Sequence, residues 1–327
     1  MNKPAAQVQP SKKRVILIHD AAVDEYVSTM LLTLMPEIDL AAVIIVNADC
    51  IAQPALDAAS KLHQFLGKPD LPLALSRARG WNAFPWSYRG DCVKFGAIPS
   101  LAPYQSKATL PPPSGEDLLA RLLEAALQNR EQLTLLITGP FTPLTDVLNS
   151  NRKLADAIET VVWMGGAINV DGNLDPSTID PSVANTHAEW NAFWDPFAVE
   201  QALRLCPSIK LFPLDITNNS KLTPAFLSSL QQQANTSRYA KLAYEGYSLV
   251  MNEPFYDMWD VTATYWLRDP TIYTTPAITP LKIVTWGFNQ GWIQVDQSRS
   301  PAIADPAVFS SFANQAAFYA GVLKLLA

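Results

Sequence analysis

Several acidic residues of this chain follow short apolar runs, where a carboxylate could bind a cation or a polar ligand. The run Val15–Ile18 is followed by Asp20, and then by Asp24 and Glu25. A second apolar run ends shortly before Asp49. If both runs are strands of a parallel sheet, these carboxylates meet outside its carboxyl edge, which is where ligands bind in open α/β sheets.

Three carboxylates in one short segment need a compensating charge. Asp24 and Glu25 alone could be acidic residues that favour the positive end of a helix dipole. That explanation leaves out Asp20, which adds a third carboxylate after a predicted buried strand. Crowded carboxylates raise each other's pKa unless a cation or substrate hydroxyls take up the charge. Because these are oxygen donors without a Cys/His cluster, the sequence indicates a hard cation such as Ca²⁺ or Mg²⁺.

Aromatic residues are concentrated where they could form the wall of a pocket. The irregular stretch 76–113 contains Trp81, Phe84, Trp86, Tyr88 and Tyr104. A long irregular stretch inside a compact domain is commonly functional, so this one either forms a wall or lid or simply packs on the core. Trp259 could likewise be an ordinary core residue, but its acidic neighbour Asp260 favours a place on the floor of a site.

The elements that would position these residues alternate between strand and helix from Arg14 to about Cys206. Strand-like runs end at polar or glycine residues, and amphipathic helices follow, one of them beginning after the capping residue Ser114. This alternation predicts an α/β fold with an open, mostly parallel, doubly wound (Rossmann-like) sheet.

Beyond the alternating region we predict extra helices, a late β-pair and a terminal helix. The β-pair is predicted at Leu281–Thr285 and Trp292–Val295, and the terminal helix from Val308 to Leu326. Residues 1–13 are predicted to form a flexible tail and residues 14–327 a single domain, because no internal boundary is visible.

Composition narrows the class of protein. The chain has 327 residues, of which 49% are apolar, so it can bury a substantial core. Its net charge of -6 is a poor match for nucleic acid. Three widely spaced cysteines suggest buried thiols in a reducing compartment. Neither a secretory signal nor a run of 18 apolar residues is present, so we expect no membrane span and a cytoplasmic location.

Several short motifs follow one another along nearly the whole chain. They are Asp20-Ala21-Ala22-Val23-Asp24-Glu25, Asn47-Ala48-Asp49-Cys50, Thr138-Gly139-Pro140, Met164-Gly165-Gly166-Ala167, Gly172-Asn173, Ala188–Pro196, Leu214–Asn218 and Trp259-Asp260. Each motif alone is weak, but their order and spacing together resemble the nucleoside hydrolase family. The resemblance is greatest to its purine-preferring branch, the inosine-adenosine-guanosine type.

The resemblance implies that the protein hydrolyses the N-glycosidic bond of purine ribonucleosides, giving base and ribose, with bound Ca²⁺. The implied ligands of the ion are Asp20, Glu25, Asp260 and the backbone carbonyl of Thr138. The ion would hold the attacking water, and Asp20 would be the general base that deprotonates it. The implied ligands of the ribose hydroxyls are Asp24, Asn173, Glu189 and Asn191. Carboxylates near the sugar would stabilise an oxocarbenium-like transition state.

Histidine placement bears on the choice of base. Pyrimidine-accepting relatives usually carry a histidine acid near the nucleobase, in a segment that corresponds to residues 241–257 here. The histidines of this chain are His19, His63 and His187, all outside that segment. We expect His63 and His187 to be structural.

The purine-preferring branch instead holds the base between two aromatic rings. Trp259 matches one ring and Tyr88 the other, with Trp86 as the alternative for the second. Stacking on Trp259 would raise the basicity of the purine so that solvent protonates the leaving group. Asp49 would lie along the edge of the base.

Three positions depart from the family pattern. Relatives usually carry Asp at the position of Ile18, Gly or Asn at that of Ala22, and Asp at that of Glu25. Loss of a group that supports a metal site commonly costs about 10–100-fold in affinity or activity. A weakened enzyme, a hydrolase of modified nucleosides and a non-catalytic riboside-binding protein therefore remain alternatives.

A Mg²⁺-dependent phosphohydrolase ranks last among the alternatives, because no glycine-rich phosphate loop or Lys/Arg clamp lies near these acids. Members of the family are often dimers or tetramers, so the resemblance also implies a homodimer or homotetramer.

Overall fold

The computed structural model describes residues 12–84, 88–174, 180, 182–253, 256–298 and 305–327. Within these residues an eight-stranded sheet forms the centre of the molecule. Its strands are β1 (Lys13–His19), β2 (Ile38–Ile45), β3 (Leu73–Leu75), β4 (Leu133–Thr138), β5 (Ile158–Met164), β6 (Ile209–Phe212), β7 (Ala277–Ile278) and β10 (Ala307–Val308). A separate antiparallel pair consists of β8 (Leu281–Ile283) and β9 (Ile293–Val295).

The sheet has the strand order β3-β2-β1-β4-β5-β6-β10-β7 and is parallel except for β7. His19 of β1 lies opposite Ile45 of β2 and Thr138 of β4, so these three strands end at the same level. The chain order reverses between β1 and β4, and a crevice forms at such a point in an open α/β sheet. The predicted mostly parallel, doubly wound sheet is confirmed.

Helices connect the strands and cover both faces of the sheet. They are α1 (Val23–Leu34), α2 (Ala52–Phe65), α3 (Asp91–Phe95), α4 (Gly115–Asn129), α5 (Thr142–Ser150), α6 (Trp190–Trp194), α7 (Pro196–Leu205), α8 (Leu214–Thr217), α9 (Pro224–Gln233), α10 (Arg238–Ser248), α11 (Trp259–Trp266) and α12 (Gln315–Leu326). Ser114 caps α4 as predicted, since its hydroxyl accepts the N–H of Asp117 at 3.2 Å. Across the described residues, every helix is too short or too polar to traverse a lipid bilayer.

Alternate residues of β1 belong to two apolar layers, one on each side of the sheet. Val15 and Leu17 pack in the layer that contains α1 and α2, whereas Ile16 and Ile18 pack in the layer that contains α4 and α5. Burial on both faces is typical of parallel strands. Ile18 is fully buried among apolar side chains, so its packing accounts for an apolar residue at this position.

Two details differ from the sequence prediction. The terminal helix begins at Gln315 and not at Val308, because Val308 pairs with Leu211 as part of β10. Asn314 then caps α12 by accepting the N–H of Ala317 at 3.0 Å. The stretch 76–113, predicted to be irregular, contains the short helix α3, and the predicted late β-pair is confirmed as β8 and β9.

Candidate active site

A cavity lies at the carboxyl edge of the sheet, beside the ends of its central strands. Asp20 enters its wall directly after β1, Thr138 is the last residue of β4, and Met164 is the last residue of β5. In all, the wall includes nine of the eleven site residues that were predicted from the sequence. They are Asp20, Asp49, Tyr88, Thr138, Asn173, Glu189, Asn191, Trp259 and Asp260. The remaining two selected residues, Asp24 and Glu25, lie buried behind this wall.

Asp20 is fixed by its contacts with the neighbouring loop. Its Oδ2 accepts the backbone N–H of Asp49 at 3.1 Å, which ties the ends of β1 and β2 together. The next residue, Ala21, has a φ of 76°, a left-handed conformation that is uncommon for residues other than glycine. Such backbone outliers are concentrated at functional sites, where surrounding contacts maintain them. The turn after β1 therefore holds the Asp20 carboxylate in a defined position.

The Asp24 carboxylate is turned toward α11 and α10. Its Oδ2 accepts the backbone N–H groups of Asp260 and Val261, at 2.7 and 2.8 Å, and so satisfies free donors at the start of α11. Its Oδ1 accepts the hydroxyl of Tyr247 at 2.5 Å. With these three donors, Asp24 links α1 to the helix that carries Trp259 and Asp260.

The Glu25 carboxylate accepts hydrogen bonds from the turn that precedes α1. Its oxygens accept the backbone N–H of Asp20 at 2.9 Å and that of Ala22, so Glu25 acts as the acidic partner of a capping arrangement. The hydroxyl of Thr138 donates to the same carboxylate at 3.2 Å. Glu25 is thus adjacent to the candidate metal ligands but faces backbone donors.

Polar side chains from α6 and the preceding loop form one end of the cavity. Glu189 caps α6 by accepting the N–H groups of Asn191 and Ala192, and it also accepts the N–H of Gly166 at 2.6 Å. The side-chain amide of Asn191 donates to the carbonyl of Met164 at 3.2 Å. These bonds hold a carboxylate and an amide side by side, a suitable arrangement for sugar hydroxyls.

Asn173 is positioned by a close approach of two backbone segments. Its Oδ1 accepts the N–H of Trp190 at 3.1 Å. At the preceding Gly172 a Cβ atom would lie 2.0 Å from the carbonyl oxygen of Ala188, so only glycine fits there. The Gly172-Asn173 motif therefore brings the amide of Asn173 to the cavity beside Glu189.

Aromatic rings form the other part of the wall. Tyr256 packs edge to face on Trp259, with ring centroids 4.9 Å apart, and Phe84 stacks on Trp190 at 4.6 Å. Tyr88 completes this group of lining rings. Trp86, the alternative to Tyr88 in the sequence analysis, lies outside the described residues. A flat ring entering the cavity can contact several aromatic surfaces.

Several lining residues were not predicted as site residues from the sequence, and Trp190, Asp91 and Glu253 are among them. Trp190 stands between Glu189 and Asn191, so its position inside that motif was the available signal. Asp91 and Glu253 also line the cavity, but neither follows a strand or belongs to a recognised motif. They reach the cavity only through the tertiary fold, which no local sequence pattern reveals.

Every charged residue in the described wall is acidic, and the pKa values reflect this crowding. Burial and then the charge of Glu25 raise the pKa of Asp20 well above its usual value. Burial, followed by the charges of Glu25 and Asp24, raises the pKa of Asp260 well above its usual value. Burial raises the pKa of Glu189 to about 7 and that of Glu25 to about 8. A bound cation would offset this repulsion and allow these groups to ionise.

The donor set fits a hard cation in chemistry, although its geometry is incomplete. Asp20, Asp260 and Thr138 line the cavity and offer only oxygen donors, the type that Ca²⁺ prefers. The described residues contain no ready group of three or more His, Cys, Asp or Glu ligands. This agrees with the backbone contacts of Glu25, whose carboxylate would have to turn toward the cavity to become a ligand.

The histidines lie away from the cavity wall. His19 is fully buried, its pKa is lowered to about 3 by burial, and its Nδ1 accepts the N–H of Ala21 at 3.2 Å. His63 is buried on α2, and burial lowers its pKa to about 4. His187 stacks on Trp292 with ring centroids 4.1 Å apart. None of the three is placed to donate a proton to a ligand in this cavity.

An acidic cavity with aromatic walls lies at the carboxyl edge of the parallel sheet, and its chemistry suits a small ligand that carries hydroxyl groups and a flat ring. The model of the inosine-uridine preferring nucleoside hydrolase family matches residues 15–319, and the chain belongs to this family. Membership supports hydrolysis of the N-glycosidic bond of ribonucleosides as its reaction class.

Similar proteins include enzymes with different substrate preferences. The non-specific ribonucleoside hydrolase RihC of Escherichia coli (strain SE11) is 26% identical over 260 residues, which cover 80% of each chain. The structure of an inosine-uridine preferring nucleoside hydrolase from Bacillus anthracis matches with a TM-score of 0.84 and 28% identity, covering 96% of this chain and 99% of that one. A purine-preferring ribonucleoside hydrolase from Gardnerella vaginalis shares the fold, with a TM-score of 0.74, 18% identity and coverages of 96% and 99%.

Proposed function

We propose that this protein hydrolyses purine ribonucleosides to the free base and ribose. The observation that carries the purine preference is that both Trp259 and Tyr88 line a cavity whose described wall contains no histidine. A purine presents a larger stacking surface than a pyrimidine, and aromatic stacking contributes about 0.5–1.5 kcal/mol per pair beyond burial. Without a histidine acid, a stacked purine that solvent can protonate is the better leaving group.

Asp20 is the general base in this proposal. Its carboxylate lies in the cavity wall, where it can accept a proton from a water molecule that attacks the sugar. Ionised Asp20 also stabilises the positive charge that develops on the ribose ring as the glycosidic bond breaks. The N–H of Asp49 keeps one carboxylate oxygen oriented during both roles.

Ca²⁺ is the proposed cofactor, held by Asp20, Asp260, the Thr138 carbonyl and, after rotation of its side chain, Glu25. When bound, the ion supplies positive charge that lowers the pKa of a water molecule. Asp20 and Asp260 also need this charge, since burial and mutual repulsion otherwise keep their pKa values raised.

Asn173, Glu189 and Asn191 are proposed to bind the ribose hydroxyls. Glu189 and Asn191 are anchored by backbone hydrogen bonds, so they are preorganised before the sugar arrives. Asp24 is proposed to act indirectly, because its carboxylate already accepts three donors and orients α11. Asp49 is proposed to contact the edge of the base.

The base preference can be tested with a panel of ribonucleosides. Ribose release from inosine, guanosine, adenosine, uridine and cytidine would be measured with added Ca²⁺ and, separately, with a chelator. The proposal predicts a higher kcat/KM for the three purine ribosides and loss of activity with the chelator. Equal rates on uridine and cytidine would contradict the purine preference while leaving the family reaction intact.

A second candidate function is riboside binding with little or no hydrolysis, or hydrolysis of a modified nucleoside. The observation that favours it is the engagement of Glu25 by the N–H groups of Asp20 and Ala22. Tight binding of inosine without ribose release during long incubation with Ca²⁺ would support this candidate. A phosphohydrolase is disfavoured, since the described cavity wall contains no Lys or Arg to hold a phosphate.

A further inference from the structure

Two cysteines that are distant in sequence meet directly behind the cavity wall. Cys50 and Cys92 are 42 residues apart, and the backbone N–H of Cys92 donates to Sγ of Cys50 at 3.3 Å. Both side chains are fully buried. The Sγ of Cys92 also lies 3.7 Å from the carbonyl oxygens of Ile51 and Arg89. The two thiols are thus fixed beside each other by contacts on both segments.

The pair joins two segments that carry lining residues. Cys50 follows Asp49, and Cys92 follows Asp91, both of which line the cavity. The same segments are connected by a hydrogen bond from the Ile51 N–H to the Arg89 carbonyl at 3.2 Å. A change at the two sulfurs would therefore be transmitted to the cavity through the immediately adjacent residues.

The third cysteine provides an internal contrast. Cys206 is buried near the end of α7, and burial raises the pKa of its thiol to about 12. The pKa of the Cys92 thiol is lowered, chiefly by its hydrogen bond with Cys50. Because the thiolate is the reactive form of cysteine, we expect Cys92 to be more reactive than Cys206.

We propose that Cys50 and Cys92 are a site of reversible oxidation, at which hydrogen peroxide converts the two thiols into an intramolecular disulfide. Hydrogen peroxide is named as the oxidant because both sulfurs are buried, so that the oxidant that reaches them must be small. The bond fixes the Tyr88–Asp91 segment against the Asp49 loop.

The reaction consumes one peroxide and releases two waters. The Cys92 thiolate attacks a peroxide oxygen, breaks the O–O bond and becomes a sulfenic acid, and the departing hydroxide takes the thiol proton to form the first water. The sulfur of Cys50 then displaces the hydroxyl group from Cys92, and the Cys50 proton leaves with it as the second water. The two thiols are oxidised by two electrons in total, and the peroxide is reduced.

Thiol counting on the intact protein tests the chemistry without reference to nucleoside hydrolysis. Reduced protein would be treated with hydrogen peroxide, denatured and alkylated, and its peptides mapped by mass spectrometry. The expected result is that the reagent alkylates only Cys206. A crosslinked Cys50–Cys92 peptide should appear with a mass two hydrogen atoms below the sum of its two component peptides, and dithiothreitol should restore all three thiols. Retention of three alkylatable thiols, under conditions that oxidise the denatured chain, would overturn the proposal.

Matched variants separate the pair from general oxidation. Cys206→Ser should still form the crosslink, whereas Cys50→Ser and Cys92→Ser should not, with Cys50→Ala and Cys92→Ala as substitutes for any serine variant that fails to fold. A crosslink to Cys206 or between molecules would contradict the proposal.

A ligand-binding readout connects the disulfide to the cavity. Oxidised wild type should bind inosine several-fold more weakly than reduced protein, and Cys50→Ala should lose this sensitivity to peroxide. Equal affinity of the oxidised and reduced forms would overturn the link to the cavity. If neither form binds inosine, the proposed function fails, but thiol counting still decides whether the disulfide forms.

Discussion

Asp20 is the residue on which the proposed reaction depends most. Replacement by asparagine (Asp20→Asn) keeps the size of the side chain but removes the base. We expect ribose release to fall by about 10²–10⁴-fold, the usual contribution of a general base. The fold should persist, because the neutral amide also removes the repulsion between this carboxylate and Glu25. Initial rates and circular dichroism measure the two effects.

Asp39→Asn is a matched control for this substitution. Asp39 lies on β2 and is exposed, and its carboxylate forms an ion pair with the side chain of Arg14 at 3.5 Å. Its replacement should leave the rate unchanged. A rate for Asp20→Asn close to that of wild type would refute the assignment of the base.

Trp259, which lines the cavity, is proposed to hold the base by stacking. Trp259→Leu removes the stacking surface, so we expect KM for inosine to rise by roughly 2–10-fold, which corresponds to about 0.5–1.5 kcal/mol. KM for uridine should change less, because a pyrimidine offers a smaller surface. Steady-state kinetics on both substrates measure the difference. Trp286→Leu is the control, since that side chain is 80% exposed; equal effects of the two substitutions would argue against stacking.

Residues that directly follow strands were predictable, whereas the direction of a buried side chain was not. The ends of β1 and β2 set the level of Asp20 and Asp49, and an apolar run followed by an acid reveals both in the sequence. The orientation of Asp24 depends on Tyr247, which is 223 residues away. No local pattern reveals that contact, so the sequence did not predict that Asp24 caps α11, and a role for Asp24 toward the sugar stays a prediction.

At the scale of elements, Asp24 connects α1, α10 and α11. Tyr247→Phe removes one donor from a buried carboxylate, and hydrogen bonds to charged groups contribute about 1.5–3 kcal/mol. We expect a loss of free energy of unfolding in that range at a pH above the Asp24 pKa of about 7. Urea denaturation measures this loss.

Tyr26→Phe is the matched comparison for the loss of a tyrosine hydroxyl. The Tyr26 hydroxyl donates to the neutral carbonyl of Ala55 at 3.2 Å, so its loss should cost only about 0.5–1.5 kcal/mol. Equal losses of unfolding free energy in the two variants would contradict the prediction that Tyr247 donates to an ionised Asp24 carboxylate.

Short elements were the hardest to predict. Val308 and Phe309 are apolar and precede a helix-forming sequence, so they were included in the predicted terminal helix. In the structure Ala307 and Val308 pair with β6, a contact between segments nearly a hundred residues apart along the chain. The capping residue Asn314 was the local signal for the true start of α12. Pairing with a distant strand overrides a local preference for helix.

At the scale of the whole molecule, the order of the parallel strands brings distant motifs to one crevice. This arrangement was predictable from the alternation of apolar runs and amphipathic helices, because parallel crossovers place successive strand ends at one edge. Assembly into a homodimer or homotetramer remains a prediction. The meeting of Cys50 and Cys92 was not predictable, since a spacing of 42 residues has no meaning without the fold.

The buried acids predict how stability depends on pH when metal is removed. The pKa of Glu25 is raised from 4.5 to about 8, and that of Glu189 to about 7, so the folded state binds more protons than the unfolded state between these values. Above about pH 6.5, where the buried His19 and His63 are neutral in both states, the stability of the metal-free protein therefore falls as the pH rises to about 8. Thermal melts in chelator should show this decline.

If the proposed metal site binds Ca²⁺, the ion should reverse the decline, because it would bind the ionised acids of the folded state. The melting temperature at a pH near 8 should thus rise on addition of Ca²⁺. A melting temperature of the metal-free protein that increases over the same pH range would contradict the charge balance described for the cavity.

The most direct test of hydrolysis at this cavity is product analysis with inosine. Wild type and Asp20→Asn would be incubated with inosine and Ca²⁺, and hypoxanthine and ribose quantified by chromatography. We expect equal amounts of free base and free ribose from wild type and almost none from the variant. Unchanged inosine with active-site binding intact, or equal product from both proteins, would contradict it.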